Sequence, residues 1–238
     1  MENKIRLSLA EGTIRSADGQ VVALSARELL ILGFLVLRKG LASVDALADA
    51  VWPDVDGDRA RANLKVYAFR IRARAGRPDV VVCEKGRWRL GTCVAVDLWE
   101  WERLADTGQP GLLLPSLREV LVAAHASLTV GPPPALVESE CGAVFSVAFE
   151  TVLAGVAECL IADAFSRHDL VRAASLARAM IALDPYEARW RHALSRVHAE
   201  RHDPLGARRV MKEYDLLVQH ELRENAFGPM PGRPTYSA

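Results

Sequence analysis

Arg59-Ala-Arg-Ala-Asn-Leu-Lys-Val-Tyr-Ala-Phe-Arg-Ile-Arg-Ala-Arg-Ala-Gly76 is followed, after a short connection, by Val80-Val-Val-Cys-Glu-Lys-Gly-Arg-Trp-Arg-Leu90. In the first stretch Leu64, Ala68, Ile71 and Ala75 fall at i, i+4, i+7 and i+11. That spacing predicts a helix fixed along a narrow apolar stripe, with Asp58 as its N-cap and Gly76 ending it. The second stretch is β-rich at Val80–Val82, turns at Lys85-Gly86 and alternates over Arg87–Leu90, which predicts a hairpin with basic residues at its tip. The whole chain of 238 residues balances 30 basic against 30 acidic side chains. Between Arg59 and Arg89, however, ten basic residues face only two acidic ones, Asp79 and Glu84, so 31 residues carry a net +8. A zero total therefore hides one strongly electropositive segment.

Upstream, Ser25-Ala-Arg-Glu28 is a capping box opening a helix from about Ala26 to Arg38, with Lys39-Gly40 in C-cap order. Ser43 caps a second helix whose Val44, Leu47 and Val51 share a face and which Pro53 stops. Residues 4–24 alternate and turn, as two or more short antiparallel strands do. Strands, three short helices and a basic hairpin follow one another in the order of a winged helix.

After Asp97 the pattern becomes helical. Leu98, Trp101 and Leu104 begin a helix, Thr107–Pro115 reads as a turn, Leu117–Leu128 is helical and Gly131-Pro-Pro-Pro134 interrupts. Arg167-His168-Asp169 recurs as Arg201-His202-Asp203, an offset of 34 shared by Ala173 and Ala207, Leu183 and Leu217, and Glu187 and Glu221. Thirty-four is the tetratricopeptide period of paired helices. Asp184-Pro185 and Asp203-Pro204 are expected caps with proline at N1. Trp99, Trp101 and Trp190 read as packing residues. The expected fold class is mainly α with small β elements: a winged helix-turn-helix over 1–95, followed by an all-α, tetratricopeptide-like helical domain over 96–238.

The third helix is the expected reader of DNA. Its narrow stripe leaves other faces free for long cationic side chains, which can reach phosphates and guanine edges. Lys65, Tyr67, Phe69 and Arg70 are expected in the major groove, Arg61 and Arg72 on phosphates, and Arg87 and Arg89 on backbone or an adjacent minor groove.

These residues resemble a known family. Ser25–Leu90 is similar to the OmpR/PhoB-type winged-helix domain, with Val66-Tyr-Ala-Phe-Arg-Ile-Arg72 in the place of its recognition helix and Lys85-Gly-Arg-Trp-Arg-Leu90 in that of its wing. Val96-Asp-Leu-Trp-Glu-Trp-Glu-Arg-Leu104 and Ala182-Leu-Asp-Pro-Tyr-Glu187 resemble the bacterial transcriptional activator domain. The combination resembles SARP-type activators, the antibiotic regulatory proteins of streptomycetes. It implies a transcription factor that binds double-stranded DNA at direct repeats near a promoter and contacts RNA polymerase. It also puts Tyr67, Phe69, Arg70 and Arg72 in DNA-facing slots and makes Arg89 the wing arginine. Arg87, Tyr67 and Phe69 depart from the family's usual residues, which bears on the target sequence. With 24 residues ahead of Ser25, control by a fused receiver aspartate is not expected.

Other chemistry is weaker. His198-Ala-Glu-Arg-His202 lacks the HExxH order of zinc proteases. Asp54, Asp56 and Asp58 alternate like calcium ligands, but Gly57 and Lys65 stand at the wrong places for that loop. Four cysteines without a CxxC pair read as buried small residues. No Walker loop, GxSxG elbow or GxGxxG motif occurs, so neither an enzyme nor a cofactor is expected. The chain has no signal-peptide pattern, and its densest apolar run, Leu29–Leu37, is too short to span a bilayer, so a cytoplasmic protein without a membrane partner is expected. A homodimer, formed on DNA or through the helical module, would extend the base pairs read. The competing reading is an adaptor whose helical repeats bind a protein, with the winged helix as a docking module.

Overall fold

The computed structural model describes residues 4–107 and 115–227. The protein is mainly α-helical with two small sheets, and it divides into two compact units: the described residues up to Val156, and those from Ala157 onward. The middle of the turn expected over Thr107–Pro115 lies outside the described residues.

In the first unit, β1 (Ile5–Ser8), β2 (Thr13–Arg15) and β3 (Val21–Ala23) form an antiparallel meander. Alternation fixes its inner face, because Ile5, Leu7 and Ile14 are wholly buried. Helix α1 (Ala26–Leu37) begins with the capping box, Ser25 accepting from the Glu28 amide while Glu28 accepts from Ser25. It is apolar all round, and Leu29–Leu32 and Phe34–Val36 are buried, each side chain contributing about 1.5–3 kcal/mol of apolar burial. Gly33 permits its closest approach, since a Cβ there would sit 2.8 Å from the Phe145 ring. The helix ends through left-handed Lys39 and Gly40.

β4 (Leu41–Ser43) leads into α2 (Val44–Val51), capped by Ser43, and then α3 (Gly57–Ala75). The cap of α3 is Asp56 rather than Asp58: its carboxylate accepts from the amides of Asp58 and Arg59. Both aspartates satisfy the composition rule for a cap, and the carboxylate two residues ahead of the free amides is the one that reaches them. β5 (Val81–Glu84) and β6 (Arg87–Leu90) form the hairpin, and β4 joins it in the order β4-β6-β5. β7 (Val94–Val96) runs parallel to β1 and completes the first sheet.

α4 (Asp97–Thr107) is tied to that sheet by a buried carboxylate. Asp97 accepts from Ser8 Oγ (2.8 Å) and from the amides of Leu9, Ala10 and Leu98. Burial pushes its carboxyl above the ordinary range, against the pull of those donors. Trp99 lies against α1, its indole N–H donating to the Val36 carbonyl. α5 (Pro115–Thr129) and the short α6 (Pro134–Val137) flank the Gly131–Pro134 break.

α7 (Gly142–Ser166) is a longer apolar stretch than Leu29–Leu37. Its 25 residues, with mean hydropathy 1.9 over the most apolar window, are long and apolar enough to cross a membrane, although half of that window is buried inside the protein. Phe145, Phe149, Val156 and Leu160 account for much of that burial. No single run in it is as dense as Leu29–Leu37, because Ser146, Glu150 and Thr151 interrupt the apolar residues.

The second unit carries the repeat. α8 (Leu170–Leu183), α9 (Ala188–Glu200) and α10 (Pro204–Phe227) follow in antiparallel order. At the offset of 34, His168 and His202 take left-handed φ of 56° and 58°, and the amides of Asp169 and Asp203 donate 2.9 Å bonds to Ala164 and His198. The two aspartates then cap α8 and α10 through the amides of Arg172 and Gly206. The pairing expected at Asp184-Pro185 differs: Glu187 caps α9, while the Asp184 carboxylate accepts from Tyr186 and closes the turn.

Candidate nucleic-acid interface

α3 buries Ala60, Leu64, Ala68, Ile71 and Ala75, and its C-cap Gly76 is left-handed at φ 68°. The buried side chains are small along most of the stripe, so the helix axis sits close to its supports and the long side chains project beyond them. The wing turns at Lys85 and Gly86, with consecutive φ of 49° and 74°, the two-residue turn that suits a twisted hairpin. Trp88 and Leu90 point inward, while Arg87 is exposed.

The expected site residues fall into distinct environments. Lys65, Phe69, Arg70 and Arg87 are exposed, Phe69 at 70%. Tyr67 is half-buried against Trp52, ring centroids 5.5 Å apart, and the Arg70 guanidinium lies 5.1 Å from the centroid of the Tyr67 ring. The tyrosine thus supports the arginine by a cation–π contact. Arg61 bridges Asp45 (2.9 Å) and Asp58 (2.8 Å), the bond to Asp45 raising its pKa most. Arg89 is half-buried and meets Glu84 at 3.1 Å. Arg72 turns inward instead: Nε and Nη2 both donate to the Val81 carbonyl, at 2.9 and 2.7 Å, fastening helix to wing.

Four cations of the same electropositive segment, Arg59, Arg74, Arg77 and Lys85, were absent from the expected set. Arg59 and Lys85 are exposed, one near the start of α3 and one at the wing tip. Among the described residues Arg59, Lys65, Arg70, Lys85 and Arg87 make no ion pair, so five positive charges on two neighbouring elements stand uncompensated. Arg74, by contrast, reaches back to the buried Glu28 carboxylate (3.0 Å) and the Ala23 carbonyl, locking α3 to the start of α1. Among the described residues Asp79, Cys83 and Cys93 near the wing form no metal-binding group: Asp79 is held below its usual range by Arg77, and burial raises the Cys93 thiol. His198 pairs with Asp203 at 2.9 Å.

No protein-family model and no curated protein sequence matches the chain. Among solved structures its fold is similar to that of Mycobacterium tuberculosis EmbR, solved in complex with a low affinity phosphopeptide, with a TM-score of 0.72 and 18% identity. The match covers 96% of this chain and 62% of EmbR, so the chain spans less than two thirds of that protein's length. At this identity the likeness is one of fold: a winged helix followed by a helical module.

Proposed function

We propose that the chain is a sequence-specific, double-stranded-DNA-binding transcriptional regulator. Residues 1–95 read the DNA, and the helical residues from 96 onward contact RNA polymerase, activating transcription from promoter-proximal direct repeats. The observation that carries this reading is the set of five exposed cations without carboxylate partners on α3 and the wing. An uncompensated cluster of this kind is costly for a free surface, and it is satisfied by a phosphate backbone whose counterions it releases.

Roles follow from the environments. Lys65, Phe69 and Arg70 enter the major groove, with Tyr67 holding Arg70 in place. Arg59, Lys85 and Arg87 take phosphates. Arg61 and Arg89 are already paired, so they contribute only by exchanging a carboxylate for a phosphate. Arg72 acts by fixing the angle between helix and wing. Two copies on direct repeats would supply the base pairs that one helix cannot.

The test is selection of binding sites from random duplexes by the full chain, followed by run-off transcription from a promoter carrying the selected site. A recurrent motif, bound about 1,000-fold more tightly than unrelated duplex and increasing transcript, is expected. Equal affinity for random duplex at physiological salt would overturn the reading.

A further inference from the structure

The outermost line of α3 carries no charge. At 100° per residue, Ala62, Val66, Phe69 and Ala73 lie opposite the buried stripe, and all four are exposed, Val66 at 49% and Phe69 at 70%. By the same geometry Arg59 and Arg70 flank this ridge on one side and Lys65 on the other. Two large apolar side chains standing in water between unpaired cations mark a contact surface, and the flanking charge names a polyanion as its occupant.

We infer that the Val66–Phe69 ridge reads thymine, packing against C5-methyl groups in the major groove, so that the chain's preferred duplex carries thymines at the two or three positions facing it. The inference rests on the DNA-binding reading above. It follows from what the groove offers. Guanine, cytosine and adenine edges present donors and acceptors that valine and phenylalanine cannot satisfy, and burying them against such a ridge leaves them unpaired. The thymine methyl is the one apolar feature there. Val66 and Phe69 are three residues apart, about 4.5 Å along the axis, close to one base-pair step of about 3.4 Å. The two side chains therefore face neighbouring pairs, while Arg70, braced on Tyr67, stands beside the ridge for phosphate or guanine.

The experiment takes the duplex selected from a random library by the full chain and replaces each thymine in turn by deoxyuracil, which removes only the methyl. Affinity is read by fluorescence anisotropy. Two or three neighbouring replacements should each weaken binding about four-fold, the equivalent of one buried methyl. In Phe69→Ala and Val66→Ala those positions should become insensitive, whereas Arg59→Ala, which removes a phosphate contact, should weaken all duplexes alike. Both ridge residues are exposed, so the variants should melt like the parent by circular dichroism. A flat deoxyuracil scan on a selectively bound duplex overturns the thymine inference and leaves DNA reading intact. So does a scan that Phe69→Ala does not change. If no duplex is selected and binding ignores salt, both fall, and the ridge is then a protein contact.

Discussion

α3 and α9 are both arginine-rich helices, and their arginines live differently. Two of the three arginines of α9 pair with carboxylates, and the third, Arg191, has an aromatic ring against it while its buried Nε has no hydrogen-bond partner among the described residues. Arg189 bonds Glu158 (2.5 Å) and Glu187 (2.9 Å), Arg196 bonds Glu200 while lying over Phe165, and Arg191 lies over the Tyr214 ring. On α3 the cations divide. Arg61, Arg72 and Arg74 are committed to carboxylates or carbonyls, and Arg59, Lys65 and Arg70 are not. The number of positive charges therefore does not distinguish a structural helix from a binding one; the number left uncompensated does.

The largest expected effect separates the two helices directly. Replacing Lys65, Arg70 and Arg87 together by alanine should lower affinity for a selected duplex by about 100- to 1,000-fold, from three lost charged contacts. Replacing Arg189 and Arg196 together should change it less than about two-fold. Anisotropy titrations at one fixed salt concentration measure both, and comparable losses would erase the distinction.

Within α3, Arg74→Ala tests the committed class. It leaves the Glu28 carboxylate, which is 1% exposed, without its cation and one oxygen without its donor, and should lower stability by about 2–3 kcal/mol in urea unfolding. Arg189→Ala, which opens solvent-facing pairs, should cost about 0–1 kcal/mol. A third comparison sets Arg61 against Arg70: alanine at Arg61 should weaken DNA binding about three-fold or less, and at Arg70 about ten-fold or more. Equal losses would mean that Asp45 and Asp58 release Arg61 at no cost.

The smallest effect concerns a buried carboxylate that has donors but no cation among its hydrogen-bond partners. The folded pKa of Asp97 is raised by burial, so the protonated form is favoured in the native state. Its contribution to stability is full below the ordinary carboxylate range and is lost as pH rises through the folded value. The melting temperature of the parent relative to Asp97→Asn should therefore fall as pH rises from about 4 towards neutrality. A constant difference across that range would contradict the burial argument.

Much of this was legible because it is local. The capping box at Ser25 and Glu28, the stripe on α3 and the Lys85-Gly86 turn each depend on residues within a few turns of one another, and the 34-residue offset shows because such a local signal is repeated. What the sequence concealed is long-range or too short to have a period. β4 and β7 have three residues each, and their pairing partners lie far away in the chain. Glu28 reads as a cap, but its other carboxylate oxygen accepts from Arg74, 46 residues on. Arg70 and Arg72 look alike in sequence, and only the Val81 carbonyl beside one of them makes their roles differ. No local rule separates Arg59 and Lys85 from the committed cations: Arg59 has Asp56 three residues before it and Arg87 stands opposite Glu84 without pairing, whereas Arg72 and Arg74 have no acidic residue at i±3 or i±4.

The claim that uncompensated charge makes the interface is tested most directly by the salt dependence of binding. For the full chain on its selected duplex, log affinity against log salt should fall with a slope of about −4, as expected for four to five phosphate contacts. Alanine at Arg59, Lys85 and Arg87 together should flatten that slope by about 3. A parent slope near zero, or one left unchanged by the triple substitution, would contradict the account.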